Sequence, residues 1–478
     1  MIPQRARGVL VGGGITGLTL AYELEKLGVK DLVLCEREDR LGGNIATAHE
    51  AGFLLDLGPD SWVAQKPETA TLVRELGLGD QLVTPREGGS LVYLVQGKAL
   101  VPLPRGMILG VPTDWPAFLR SPLFSWRAKL RVLCEPLVPQ VLPAPPNPSA
   151  ATHHDVSVGA FAEARLGREL TEQLVAPLLG GIFAGSAWDL SLRTAFPQLV
   201  RAEHEHGSLV RAFRARRKEA GGTAPSPFIS LRDGMGSLID ALHGSLQHTR
   251  VCRGTQVTRV SRGSGGGYRV ETPGASFDVD AVAFAGPASV PNRVLDLPAL
   301  VRSKQRHMPG MLSALRFGSA LTVSLGFRET DIDVPVGSGF LVPPPARAGG
   351  LRILAGTFVS SKWAGRAPAG HVLLRVFFGG PDEAAIDEPD DVLVQQALAD
   401  LRALLTIRGE PTLARVFRLR GGSPRPGPGH LERVEALRLA LRDEPGLALV
   451  GNGYDGSGIS DCIRQAKQAA ARLAPFLT

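Results

Sequence analysis

Gly12-x-Gly14-x-x-Gly17 follows directly on the apolar run Val9-Leu10-Val11, and few folds begin that way. A short buried strand that breaks into a glycine turn and then a helix is the opening of a βαβ dinucleotide-binding unit. Gly12 supplies the tight turn, Gly14 lets the backbone approach a pyrophosphate, and Gly17 lets helix and strand pack closely. Gly13, Ile15 and Thr16 complete the turn and open the helix, whose free N–H groups and positive dipole end favour phosphate. Leu18, Ala21, Tyr22 and Leu24 give that helix its apolar stripe. Leu32 to Cys35 reads as the second strand. Glu36 closes it about twenty residues beyond the last glycine, where a carboxylate accepts hydrogen bonds from both ribose hydroxyls. A carboxylate there disfavours a 2′-phosphate, and with it NADP.

The next residues separate FAD from NAD. Glu36-Arg37-Glu38-Asp39-Arg40-Leu41-Gly42-Gly43 resembles the E-x-x-x-R-x-G-G extension of the amine oxidase and phytoene desaturase flavoproteins. The resemblance implies that Arg37, Arg40, Leu41, Gly42, Gly43 and Asn44 run past the ribose along an FAD pyrophosphate. Without it, the segment is a charged loop ending in a Gly-Gly turn.

At 478 residues the chain has room for two or three domains. A net charge of +7 is modest for this length and suits an acidic small substrate or an anionic surface. No aromatic-and-basic nucleic-acid motif occurs, so that partner is excluded. Cys35, Cys134, Cys252 and Cys462 lie far apart without metal spacing and read as free thiols of a cytoplasmic protein. His153-His154 falls in a loop, and His204 and His206 face different ways on one helix, so no metal site is expected. No apolar run reaches the ~18 residues of a spanning helix. Arg5 and Arg7 mimic a signal peptide, but the glycines, Glu23 and Glu25 oppose one.

The fold expected is α/β: a Rossmann-type FAD domain assembled from residues 1–52, 226–298 and 411–478. An α+β substrate domain takes residues 53–112 and 299–410, and a mostly helical insertion takes 113–225. Pro136 to Pro148 reads as an extended connector, 156–216 as helical, and 221–227 as a loop. Arg211, Arg214, Arg216, Arg217 and Lys218 read as a solvated helix end. A helix over 238–246, a hairpin beginning near Val257, and a strand at 281–285 resume the nucleotide domain. Leu447 to Gly451, a glycine turn and a helix from Ile459 close the chain. That helix offers a second positive dipole end, suited to an anionic reduced flavin.

Several stretches together resemble the oxygen-dependent protoporphyrinogen oxidase family. They are the Gly12 turn, Arg40 to Gly43, Gly58-Pro59-Asp60-Ser61, Gly181-Ile182-Phe183-Ala184-Gly185, Leu190-Ser191, Phe196-Pro197, Gly339 to Pro343, Gly429-His430, and Gly451 through Asp461-Cys462-Ile463. The resemblance spans nearly the whole chain. Pro59 to Trp62, Lys66-Pro67, Leu103 to Gly106 and Lys362-Trp363 resemble its soluble Gram-positive branch, which oxidises coproporphyrinogen III rather than protoporphyrinogen IX. The family implies six hydrogens removed from the macrocycle by hydride transfer to the flavin, with O2 as acceptor and H2O2 as product in heme biosynthesis. No side chain stands out as a catalytic base. The implied cofactor contacts further along are Gly58, Pro59, Asp60, Ser61, Val257, Gly451, Asn452, Ser457, Gly458 and Ile459.

Gly181, Gly339, Leu341 and Phe377 align with the family's substrate pocket, although ordinary packing explains each as well. A flat apolar ring with propionates on its rim wants apolar walls and cations at the mouth. Lys66 is the first candidate partner for a propionate and Arg105 the second, against the reading of both as solvated charges. Two departures stand out. Ser90 occupies a place where the family often has an arginine, and Arg425-Pro426-Gly427-Pro428 replaces a common Pro-Gln-Tyr. Trp115, Phe118, Leu119, Leu123, Phe124 and Trp126, among Arg120, Arg127 and Lys129, read as helix packing in preference to a membrane face. Peripheral membrane contact and hand-off to a ferrochelatase remain open partners. A flavin amine oxidase, a carotenoid desaturase and a non-catalytic flavoprotein are the alternatives.

Overall fold

The computed structural model describes residues 6–89, 91–142, 155–183, 185–219, 228–296, 308–379 and 383–478. Ser90, His153-His154, Ala184 and the 221–227 loop lie outside the described residues, as do residues 143–148 of the Pro136–Pro148 stretch and the side chains of Ile182, Arg217 and Lys218.

Two sheets carry the architecture. The first is a five-stranded parallel sheet in the order Thr249–Cys252, Leu32–Cys35, Gly8–Val11, Ala281–Ala285, Leu447–Val450. Its central strands are buried along their whole length, which is why they read as unbroken apolar runs rather than alternating ones. The helices Ile15–Lys26, Gly236–Ser245 and Ile459–Leu477 cover one face through Leu18, Leu24, Leu238, Ile463 and Ala466. A three-stranded antiparallel unit of Arg259–Arg262, Tyr268–Thr272 and Ala275–Val279 covers the other.

The second sheet has seven strands in the order Leu413–Pro424, Phe317–Arg328, His371–Phe378, Ala355–Phe358, Gly339–Leu341, Val92–Gln96, Ala99–Pro102. All pairs are antiparallel except Gly339–Leu341 with Val92–Gln96. One face packs against the Asp390–Leu404 helix. The other receives the helical layer of residues 115–213 and, toward the Leu413 end, the loops that follow the glycine turn.

Sheet membership departs from the expected boundaries at two places. The cut after residue 52 falls inside a hairpin, Thr47–Glu50 with Phe53–Asp56, whose turn residues Ala51 and Gly52 hold φ of 50° and 82°. Both turn positions sit in the left-handed region, the mark of a tight two-residue turn that keeps its strands together. The strand Leu413–Pro424, assigned to the last nucleotide segment, pairs instead with Phe317–Arg328 in the second sheet.

The supposed connector begins as a 3₁₀ turn, Glu135–Leu137, rather than an extended run. Glu135 is fully buried and accepts from Leu209 N and the Ser208 hydroxyl, and Arg165 bridges it to Glu203 at 3.4 and 2.9 Å. The helical layer is tied together there. Within it Phe118, Leu123 and Phe124 are buried as the packing reading requires, but Trp126 is 66% exposed, with Leu130 and Leu137 exposed on the same side.

Candidate cofactor and substrate site

The glycine turn has the geometry its sequence implies. A Cβ on Gly17 would stand 1.9 Å from the Gly12 carbonyl oxygen, so that position excludes any side chain, and one on Gly13 would push the Leu41 side chain aside from 2.6 Å. Gly14 is different: its Cβ would find nothing nearer than Gly42 O at 3.8 Å, which leaves the backbone open. The Ile15–Lys26 helix has no side-chain cap, so the N–H groups of its first turn face that opening. Glu36 is pinned beside it, accepting from Gly13 N at 2.7 Å and Glu38 N at 2.8 Å. Each carboxylate oxygen keeps a lone pair for a ribose hydroxyl. An open, uncapped helix start with a fixed acid next to it fits a dinucleotide.

The extension continues the path. Gly42 N donates to Gly13 O at 2.8 Å. Arg40 spends its guanidinium on the carbonyls of Leu41, Gly43 and Ile45 and lies over the Phe417 ring, so it staples the loop. Arg37 turns outward and pairs with Glu38. A Cβ on Gly58 would fall 1.8 Å from Asn44 O. Asn44 and Asn452 both donate to Gly422 O, at 2.8 and 2.9 Å. Three segments distant in sequence therefore meet at the end of the Leu413–Pro424 strand.

Other expected contacts fall into two groups. Gly451 has a φ of 127°, and its N–H reaches Gln465, while Ser457 and Gly458 are exposed at the start of the last helix with Ile459 buried behind them. Thr16 is buried, with its hydroxyl against Cys462, so any phosphate contact from it is through the backbone. Val257 is buried. Ser61 bonds to Asp60, next to Pro59. Asp60 turns into the protein, where Lys362 at 3.2 Å, Trp363 Nε1 at 3.0 Å and Arg375 at 3.6 Å surround it. Those cations hold its carboxyl well below the usual range even though burial opposes the shift.

The substrate positions come together on the second sheet. Leu341 pairs with Ala355, Ala355 with Phe377, and Phe377 with Thr322, forming one row across four strands. Gly181, on the helix Ala176–Phe183, faces that row with its Cβ position 3.9 Å from Ala355 Cβ. Arg375, two residues before Phe377, stacks on its ring at 5.0 Å and donates to the carbonyls of Asp56 and Gly58. The apolar row therefore adjoins the loop expected to carry the flavin. A cleft of about 530 Å³ lies beyond the row, lined by Leu94, Lys98, Gln173, Pro343 and Leu404 among others. It shares no residue with that row, so its size does not mark the site.

Three expectations fail. Gly339 is a glycine for the sheet's sake: at φ 148°, its Cβ would strike Gly356 O at 2.0 Å. Lys66 is already engaged, with Nζ 2.6 Å from Asp461 Oδ2, because the first turn of the last helix carries that acid and needs a counter-charge. Arg105 stands exposed in a turn beside Leu103, which packs into the helical layer. Ala355, Thr322 and Arg375 were missed. A lone arginine within Leu373-Leu374-Arg375-Val376-Phe377-Phe378 was the available signal, since a cation in an apolar strand must have partners. His430 is buried, bonds Tyr454 O at 3.0 Å, and has its pKa lowered by burial.

Comparison with known proteins agrees with this geometry. The family model for flavin-containing amine oxidoreductases matches residues 15–474. The coproporphyrinogen III oxidase of Bacillus subtilis is 34% identical, over 98% of this chain and 98% of its own. That of Propionibacterium freudenreichii is also 34% identical, over 97% and 89%. The chloroplastic protoporphyrinogen oxidase of Oryza sativa is 30% identical over 98% and 88%. A structure described as a protoporphyrinogen oxidase, from Exiguobacterium sp. 255-15, superposes with a TM-score of 0.83 at 33% identity, covering 98% of this chain and 99% of that one. Cyclohexylamine oxidase from Brevibacterium oxydans, at 15% identity and a TM-score of 0.68 over 99% of both chains, shares the fold.

Proposed function

The chain belongs to the flavin-containing amine oxidoreductases, among their porphyrinogen oxidases, and on that premise we propose that it converts a porphyrinogen to the porphyrin in heme biosynthesis. Coproporphyrinogen III is the favoured substrate and protoporphyrinogen IX the alternative. FAD, when bound, would supply the two-electron oxidant in three successive turnovers, removing six electrons and six protons in all, with three O2 taking them to give three H2O2. The observation that carries the reading is the row Leu341–Ala355–Phe377 with Gly181 facing it. A wall of that kind suits the face of a flat apolar ring, and Gly181 sets no side chain in front of it. The protein's part is to bind and orient. Arg375 holds the Asp56–Gly58 backbone against Phe377, so the cofactor loop and the ring-binding wall keep one spacing.

The test is porphyrin fluorescence against time with purified holoenzyme, air, and each porphyrinogen at matched concentration. Faster coproporphyrin formation supports the favoured substrate, and faster protoporphyrin formation supports the alternative. No rise above the autoxidation blank, despite bound FAD, removes the proposal.

A peripheral membrane contact has its own support. Trp126, Leu130, Leu133 and Leu137 are 66%, 58%, 39% and 80% exposed along one side of the Trp126–Leu133 helix and the turn after it, with Arg120 and Arg127 exposed nearby. Such a face suits an anionic bilayer surface. Among the described residues no helix is long and apolar enough to cross a membrane. The double variant Trp126→Ser/Leu130→Ser should lose co-sedimentation with phosphatidylglycerol vesicles; equal sedimentation of both proteins removes the contact.

A further inference from the structure

Two cations converge on Asp60, and the charges there do not cancel. Its Oδ2 is 3.2 Å from Lys362 Nζ and 3.6 Å from Arg375 Nη2. Neighbouring acids are met as well: Asp56 by Arg366 at 3.2 Å, and Asp461 by Lys66 at 2.6 Å and Arg464 at 3.5 Å. One carboxylate against two cations leaves a net positive charge. It is fixed in place, because Arg375 is tied to the carbonyls of Asp56 and Gly58 and stacked on Phe377. Lys362 is wedged between the rings of Trp363 and Phe228, at 4.9 and 5.5 Å. It is also poorly screened, since the side chains of Asp60, Lys362 and Arg375 are 12%, 14% and 6% exposed.

We propose that the Asp60–Lys362–Arg375 cluster is an electrostatic device that raises the reduction potential of the flavin bound along the Gly58–Ser61 loop. The inference rests on the reading of that loop as part of the flavin site, and goes beyond it by assigning the charge that tunes the cofactor. A flavin reduced by two electrons carries negative charge near neutral pH, whereas the oxidised ring is neutral. A fixed positive charge nearby therefore favours the reduced form. The start of the Ile459–Leu477 helix is a weaker source, because Asp461 lies in its first turn and accepts from Gly458 N at 3.2 Å. Lys66 and Arg464 offset that acid, but their side chains are 49% and 36% exposed, so solvent screens them far more than Lys362 and Arg375. The depressed pKa of Asp60 agrees with a site where cations outnumber the acid.

The experiment equilibrates holoenzyme with a redox dye, without porphyrinogen, and reads flavin and dye absorbance together. At one dye poise, Lys362→Met should lower the reduced-to-oxidised flavin ratio about tenfold, ~30 mV for a two-electron couple. Lys362→Arg should hold the wild-type ratio, and Asp60→Asn should raise it. An unchanged ratio in Lys362→Met, with FAD retained and Tm unaltered, overturns the inference, and so does a shift in the opposite direction. Should Asp60→Asn fail to fold, the two Lys362 variants decide alone. A tenfold shift in a protein that forms no porphyrin sinks the proposed activity and leaves this inference standing. Normal porphyrin formation with an unchanged ratio does the reverse, and failure to take up FAD at all sinks both.

Discussion

Replacing Gly181 by alanine should make the protein more stable and the enzyme worse, and the two effects have separate origins. Gly181 lies in a helix and its φ is not left-handed, so alanine costs the backbone nothing there. Relative to glycine, alanine in a helix interior gains up to about 1 kcal/mol by restricting the unfolded chain. The added Cβ would stand 3.9 Å from Ala355 Cβ, an ordinary van der Waals contact that asks nothing of the neighbours. The Tm should therefore hold or rise. The methyl group does, however, occupy the space between the helix and the Leu341–Ala355–Phe377 row that the proposed ring would have to use. One methyl group too many in a binding pocket costs about 1–3 kcal/mol, or roughly 10–200-fold in kcat/KM. The loss should fall mainly on KM if the ring still enters, and on turnover for the larger Gly181→Leu. The assays are differential scanning fluorimetry, flavin absorbance and porphyrin fluorescence on one preparation. Unchanged kcat/KM in both variants would place the ring elsewhere. A lower Tm with lost flavin in Gly181→Ala would refute the packing argument itself.

The correction at Lys66 changes what its substitution should do. Lys66→Glu sets a second carboxylate against Asp461 and should impair coproporphyrinogen III and protoporphyrinogen IX oxidation equally; a selective rise in KM for the four-propionate substrate would restore Lys66 to the substrate site. His430 has its folded pKa lowered from 6.5 by burial, so below about that pH the unfolded chain binds the proton first. Stability from this residue is complete above that value and is lost as pH falls toward the folded pKa. The Tm of His430→Gln should thus depend less on pH between 8 and 5.5 than the wild type's, and parallel curves would rule the histidine out. Among the thiols, burial pushes Cys35 up to about 12 and Cys462 up to about 11, while Cys134 is exposed. Cys134 should react fastest with a thiol reagent at pH 8, ahead of the half-buried Cys252, and Cys134→Ser should remove the fast phase.

The nucleotide end of the molecule was legible because its constraints are local. Gly12, Gly14 and Gly17 act within one turn, and the strand before them and Glu36 after them sit at fixed spacings along the chain. The second sheet was less legible because its constraints act between strands far apart in sequence. Gly339 looked like a pocket residue, yet it lies opposite Thr357 in the sheet, with the preceding Gly356 carbonyl oxygen where a Cβ would stand. Lys66 looked like a free cation because Asp461 lies 395 positions away. Leu413–Pro424 was placed with the wrong sheet because strand patterning records that a face is buried and not which strand lies beside it.

The same separation explains how the site is held together. The loop proposed to carry the flavin and the wall proposed to take the ring belong to different structural units, and the proposed hydride transfer would cross between them. Reacting atoms need to approach to about 3–3.5 Å, and an error of about 1 Å can cost 10²-fold. A polar tie fixes that spacing better than apolar contact alone, since hydrogen bonds are directional and a hydrophobic face is not. The ties are Arg375 to the carbonyls of Asp56 and Gly58, Asn44 and Asn452 to Gly422 O, and Lys66 to Asp461. All three connect segments remote in sequence. In each the side chain belongs to one structural unit and its partner to another. Lys66, Asp60 and Asn44, all candidate ligand contacts in the sequence, spend their side chains on the protein in this way.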